Sequence, residues 1–158
     1  MGFRAITPAG LDVLLALNNA HAAETGPLDH ARLAHLAATA FFARTNAARA
    51  ALLIAFDQAA TYDSPNFRWF RERYPRFVYI DRIIVAPAAR GAGIARTFYT
   101  ELFDAAREAG HTLVTCEVNR VPPNPGSDAF HAALGFAEAG CGSPQPGKRV
   151  RYLVKALS

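Results

Sequence analysis

Cysteine, methionine and tryptophan are scarce in this chain, with two Cys, one Met and one Trp among 158 residues. Cys116 and Cys141 are too few for a disulfide framework or a zinc module, so reduced thiols and a cytoplasmic setting are expected. No apolar run approaches the ~20 residues of a membrane span; the longest are about the length of Ala50–Phe56. Asp12 interrupts the run Leu11–Leu17, which argues against a signal peptide. Met1-Gly2 opens a myristoylation pattern that fails at Ile6, where Ser or Thr is needed. Charged residues are only 19% against 51% apolar, which excludes disorder. The net charge of +4 attracts anions such as nucleic acid, acidic lipid or a phosphorylated cofactor. The basic residues are dispersed, however, and form no interaction tail. No interleaved aromatic–basic pattern points to nucleic acid, and neither nucleic acid nor membrane is an expected partner.

What is present is enough chain for one domain, 1–158, at roughly 150 residues per domain. Gly2–Ile6 reads as a weak first strand. Thr7-Pro8 looks like a helix start, followed by Leu11, Leu14, Leu15, Asn18 and Asn19 at helical spacing, fading near Ala22. Gly26-Pro27 breaks the chain, and His30–Ala38 reads as a second helix. Thr39–Thr45 and Ala50–Asp57 flank a turn at Asn46–Arg49 and read as a hairpin. A short helix is expected around Phe67–Tyr74, and a strand over Arg76–Val85. Gly93–Ala109 gives the clearest helix, with Ile94, Phe98, Leu102, Ala105 and Ala109 on one stripe and Gly110 as its stop. A strand at Thr112–Asn119, a Pro-rich loop and a short helix at Ser127–Leu134 follow. Phe136–Cys141 and Val150–Leu157 are the last two strands. Helices inserted between strands predict one α/β or α+β domain.

The stretch Ile83-Ile84-Val85-Ala86-Pro87-Ala88-Ala89-Arg90-Gly91-Ala92-Gly93-Ile94-Ala95 runs from strand through a two-glycine loop into the long helix. Such a loop points backbone N–H groups at one spot, and the helix N-terminus adds partial positive charge. It is a ready site for a pyrophosphate, with Arg90 and Arg96 able to add charge-assisted bonds. It is equally read as an ordinary strand–helix turn. No Lys-Ser/Thr follows the second glycine, so it is not a P-loop. Arg96 stands where the dinucleotide fingerprint needs a small residue.

Arg90-Gly91-Ala92-Gly93-Ile94-Ala95 resembles the Arg/Gln-x-x-Gly-x-Gly/Ala motif of the GNAT superfamily of acyl-CoA-dependent N-acetyltransferases. Asn124-Pro125-x-Ser127 followed by Phe130-His131-x-x-Leu134-Gly135-Phe136 is similar to that family's Asn-x-x-Ala/Ser…Tyr-x-x-x-Gly-Phe segment. The order of elements agrees over most of the chain. The resemblance implies a GNAT-like single domain: a central mixed, mostly antiparallel twisted sheet of about six or seven strands, flanked by about four helices. It implies acetyl-CoA as cofactor, with coenzyme A as product, held by Arg90, Gly91, Ala92, Gly93, Ile94, Ala95 and Arg96. The backbone of Ile83, Ile84 and Val85 would pair with the pantetheine arm, and the thioester would enter where this strand and Thr112–Asn119 splay apart. Asn124 and Phe130 would contact the cofactor from the far side. Asn124 before Pro125 is also a normal helix cap.

Acetyl transfer to an amine needs a base for the ammonium and a proton for the departing thiolate. Glu117 is the first candidate base, because Cys116-Glu117-Val118 resembles the Leu-Glu-Val strand of the ribosomal-protein N-terminal acetyltransferases. It reads alternatively as a solvated or salt-bridged carboxylate. Asp81, in strand phase with Ile83 and Val85, is the second, or else a partner of Arg82. The family's acidic Tyr aligns with His131, which either donates a proton near neutral pH, positions the sulfur, or hydrogen-bonds within the core. Tyr99 and Tyr152 stand as substitutes. Cys116 reads as core. No histidine pair has metal-ligand spacing, so no metal is expected.

Asn18, Asn19, His21, Glu24 and Asp29 either bind the acceptor amine or form an ordinary solvated helix end. Phe67-Arg68-Trp69-Phe70 is either an acceptor wall or core. The expected activity is acetyl transfer from acetyl-CoA to a primary amine, on a small molecule, an amino acid or a protein N-terminus, in a monomer or homodimer. The rival reading is a non-catalytic acyl-CoA-binding sensor.

Overall fold

The computed structural model describes residues 3–158, the side chain of Glu24 excepted. The seven strands are β1 (Phe3–Ala5), β2 (Phe42–Asn46), β3 (Ala51–Asp57), β4 (Val78–Val85), β5 (Leu113–Val121), β6 (Ala137–Gln145) and β7 (Lys148–Ala156). The helices are α1 (Leu11–Ala20), α2 (Ala22–Thr25), α3 (His30–Thr39), α4 (Pro65–Arg71), α5 (Ile94–Glu108) and α6 (Pro125–Ala133), with a 3-10 turn at Pro87–Ala89. The strands form one mixed sheet in the order β1-β2-β3-β4-β5-β7-β6. Every neighbouring pair is antiparallel except β4 with β5. Gly2, expected in the first strand, lies outside the described residues.

The alanine-rich run Ala51–Phe56 makes a strand because it is central and covered on both faces. Leu53 and Ala55 pack under α5, with Phe98, Leu102 and Ala106. Leu52, Ile54 and Phe56 point the other way, toward Leu11 and Leu14 of α1, Leu33 and Leu36 of α3, and Phe67 and Phe70 of α4. The sheet therefore separates two cores, an α5–α6 side and an α1–α4 side. No helix of the described residues is long and apolar enough to cross a membrane.

Boundaries differ from expectation where capping decides them. The first helix begins at Leu11 rather than at Thr7-Pro8, behind Gly10 in a left-handed conformation (φ 82°). That φ favours glycine, and a Cβ there would also displace the Arg49 side chain. That helix breaks at His21 and resumes as the single turn α2, which raises the helix count. The helix expected from Phe67 starts at Pro65, because the Ser64 side chain accepts from the Phe67 N–H.

Trp69 of α4 crosses onto the far end of the sheet, stacked on Tyr152 at 4.2 Å and covered by the Arg73 guanidinium at 3.9 Å. A Cβ on Gly140 would collide with the Trp69 ring. Gly140→Ala is therefore expected to cost about 1–3 kcal/mol by overpacking, read as a lowered thermal midpoint. An unchanged midpoint contradicts this packing.

The feature that makes a site is the parting of β4 and β5. They pair only at Val78–Val114 and Tyr79–Thr115. On β4, Arg82 faces Ile54 and Ile80 faces Ala55, which leaves Asp81 as the extra residue of a bulge against β3. Past the last pair, Ile80–Val85 follows β3 while Cys116–Val121 follows β7. The backbone groups of the two strands' facing edges have no partner strand along this opening.

Candidate active site

A cavity of about 110 Å³ occupies the opening, lined from both faces of the sheet. Successive residues of β5 point to opposite faces. Cys116 and Val118 join the α5–α6 core, and Glu117 turns toward Tyr79 and Tyr152 on the α1–α4 side.

Glu117 Oε1 accepts hydrogen bonds from Tyr79 Oη at 2.9 Å and Asn66 Nδ2 at 3.0 Å. Asn66 Oδ1 in turn accepts from Tyr152 Oη at 2.9 Å, which fixes the amide's orientation. Glu117 Oε2 is buried and has no partner. Burial pushes the carboxyl up to about 7, against the hydrogen bonds from Tyr79 and Asn66 and with the help of the nearby Asp81 charge. One oxygen is clamped and the other is free, in a group poised near neutrality.

Asp81 is arranged differently. Its Oδ1 accepts from Tyr62 Oη at 2.6 Å and its Oδ2 from Arg82 Nε at 2.7 Å, in a buried ion pair. Both oxygens of the second candidate base are engaged, by Tyr62 and by Arg82, and Asp81 also lines the cavity. Arg82 Nη1 donates onward to Asn18 Oδ1 at 2.7 Å. Buried Asn18 also donates to the Gly26 carbonyl at 3.1 Å. Asn19 holds Leu28 by two bonds of 2.9 Å, and Asp29 caps α3. Asn18, Asn19 and Asp29 thereby pin the 21–29 segment to the sheet, with Thr25 at the cavity wall. The side chain of Glu24 lies outside the described residues.

On the opposite face, His131 is buried in α6. Its Nδ1 lies 2.7 Å from the Ser127 carbonyl, which can only accept, so Nδ1 carries a proton. Its Nε2 faces Tyr99 Oη at 2.8 Å. Burial lowers the His131 pKa, partly offset by Ser127 and Asp128, and burial raises that of Tyr99. Neither ring nitrogen is free to meet a ligand directly. The group that His131 presents is the Tyr99 hydroxyl, and both residues line the cavity. Tyr152 belongs to the Glu117 side instead.

The glycine loop forms a second concavity of about 320 Å³ on this same face. Val85, Arg90, Gly91, Gly93, Ile94, Ala95, Arg96 and Phe130 line it together. Gly91 (φ 87°) and Gly93 (φ 76°) need glycine for their backbone, and nothing lies within 4 Å of where a Cβ would stand. Gly93 is the N-cap of α5 and no side chain satisfies the first N–H groups there. Arg90 Nε donates to the Val85 carbonyl at 3.1 Å, closing the loop against its strand. Asn124 caps α6 by accepting from Ser127 N–H at 3.3 Å and also lines the cavity. Ile83 lines the cavity, whereas the Ile84 side chain packs in the opposite core and Ala92 is exposed at the loop's tip.

Residues 33–136 match the Acetyltransferase (GNAT) family. No curated protein matches the chain significantly. Among solved structures, a putative acetyltransferase (yncA) from Salmonella typhimurium, with its cofactor acetyl-CoA, is 18% identical with a TM-score of 0.68, over 100% of this chain and 94% of that one. A ribosomal-protein-alanine N-acetyltransferase from Brucella melitensis is 24% identical with a TM-score of 0.66, over 99% and 100%. An N-acetyltransferase from Staphylococcus aureus is 16% identical with a TM-score of 0.70, over 99% and 98%. A sheet parted between β4 and β5, a glycine loop opening α5 and this match over more than half the sequence agree, and the chain belongs to the GNAT family of acetyltransferases.

Proposed function

We propose that this protein transfers an acetyl group from acetyl-CoA to a primary amine by direct attack, with Glu117 as the base. The observation that carries the reading is the free, buried Oε2 of Glu117 in the opening between the two strands. The pyrophosphate sits on the loop Arg90–Arg96, where backbone N–H groups, the α5 terminus and Arg90 and Arg96 favour it. The unpaired edges of β4 and β5 take the pantetheine arm and lead the thioester into the cavity. The amine arrives from the α1–α4 face.

Glu117 takes a proton from the ammonium. Glu117 passes that proton to solvent; the neutral amine forms a C–N bond to the thioester carbon, the nitrogen then gives its second proton to Glu117, and the C–S bond breaks on collapse. We assign the proton for sulfur to the Tyr99–His131 pair. Burial favours neutral His131, with its proton on Nδ1 toward Ser127 and its Nε2 holding the Tyr99 oxygen at the cavity. Tyr99 gives its proton to the departing thiolate and regains one from solvent. Tyr99→Phe is therefore expected to lower kcat roughly 10²-fold, and His131→Phe to a similar degree. Retention of full kcat by Tyr99→Phe, with loss in His131→Phe, would make His131 the direct donor.

Calorimetric titration with acetyl-CoA, on protein shown by mass spectrometry to carry no coenzyme A, tests the cofactor assignment. Micromolar affinity is expected. Absence of binding by the folded protein would reduce the glycine loop to a turn.

A further inference from the structure

We propose, resting on the transfer reading above, that the acceptor is the N-terminus of a polypeptide with acidic residues just behind its first. The reactive cavity does not end at Glu117. It shares Lys148 with a concavity of about 460 Å³ lined by Val121, Gly147 and Arg149. That one shares Ser143 and Arg149 with a third, of about 300 Å³, which reaches Arg120. The three adjoin one another along the ends of β5 and β7, beginning at the cavity that holds Glu117. From Glu117 to Val121 is about four strand steps, or ~13 Å at ~3.3 Å per residue. An extended segment of several residues fits that length, whereas a free amino acid fills only its first part.

Beyond the inner cavity, the charged residues along these concavities are all cationic. Arg120 is the extra residue of a bulge between Asn119 and Val121, which turns it out of the β5–β7 ladder beside Arg149. Among the described residues, Arg120, Lys148 and Arg149 make no ion pair. Their neighbour Arg151, by contrast, is paired with both Asp128 and Glu138. At the inner end, Asp81 is cancelled by Arg82. The rim is also held in shape, since Ser143 Oγ donates to the carbonyls of Lys148 at 2.8 Å and Gln145 at 3.2 Å. Three uncompensated cations repel polyamines and favour carboxylates placed after the reacting amine.

Two fluorescent peptides test this, one with an N-terminal Ala followed by Glu and Asp, the other with the matching Gln and Asn. Their affinity for the protein is measured by anisotropy with and without coenzyme A, so that the result does not depend on turnover. The acidic peptide is expected to bind about tenfold more tightly, with an advantage that falls as salt rises. The Arg120→Ala/Arg149→Ala variant is expected to bring the ratio near one, and Arg120→Lys/Arg149→Lys to keep it. Equal affinity for the two peptides overturns the proposal. So does a preference that ignores salt or survives in the Ala variant, or free glutamate competing as well as the peptide. Failure of acetyl-CoA to bind, with the acidic preference intact, would instead count against the transfer reading alone.

Discussion

Glu117→Gln is expected to lower turnover by roughly 10²–10⁴-fold while leaving acetyl-CoA affinity near that of the parent. Gln keeps an oxygen for Tyr79 and Asn66 but cannot take a proton, so the change removes the base and little of the frame. The same substitution is expected to stabilise the fold at alkaline pH. A carboxyl held near 7 in the folded state, above its ordinary value of 4.5, favours folding in its protonated form. Its stabilising share is present below the ordinary value and is lost as pH rises through about 7. Above that, the folded protein bears the cost of a buried anion, which Gln removes. The thermal midpoint of the variant should thus exceed the parent's at about pH 8.5 and match it at about pH 4. Unchanged turnover would remove Glu117 from the chemistry. A midpoint gain absent at alkaline pH would show that the carboxylate is solvated after all.

Gly93→Glu is expected to weaken acetyl-CoA binding by more than about 100-fold. A carboxylate facing a pyrophosphate costs several kcal/mol, and a side chain at φ 76° adds strain of about 1–2 kcal/mol. Gly93→Ala separates the two effects. It brings the strain without the charge, and the space around a Cβ is open, so no clash follows. Calorimetry should show a loss of roughly tenfold in the Ala variant and of far more in the Glu variant. Equal, small losses in both would mean that no anion approaches this loop.

The parts of the site that could be read in sequence are those built from neighbours along the chain. A strand, two glycines and an amphipathic helix lie within one stretch, and the structure joins Arg90, Gly91, Gly93 and Arg96 in one concavity. Glu117 stands out in the sequence through a short resemblance. What makes its environment was not legible, because Asn66 is 51 residues away, Tyr79 is 38, and Tyr152 lies 86 from Asn66. The Tyr99–His131 contact spans 32 residues between two helices. Alignment with the family's Tyr picks out His131, but only packing shows that its outer nitrogen is spent on Tyr99. The Asn18–Asn19 pair reads from sequence either as an amine site or as an ordinary helix end. Polar residues ending an apolar helix resemble a binding cluster until the backbone groups they satisfy, Gly26 and Leu28, are seen. Asp81 was weighed as a base or a partner of Arg82, and the bulge on β4 carries the pairing.

The most direct measurement is turnover itself: acetyl-CoA with the acidic peptide, following thiol release and the peptide's mass together. One free coenzyme A for each N-terminally acetylated peptide, lost in Glu117→Gln, is the predicted result. Acetyl-CoA bound but never consumed, with acidic peptides, neutral peptides and small amines alike, would contradict it and leave an acyl-CoA-binding sensor.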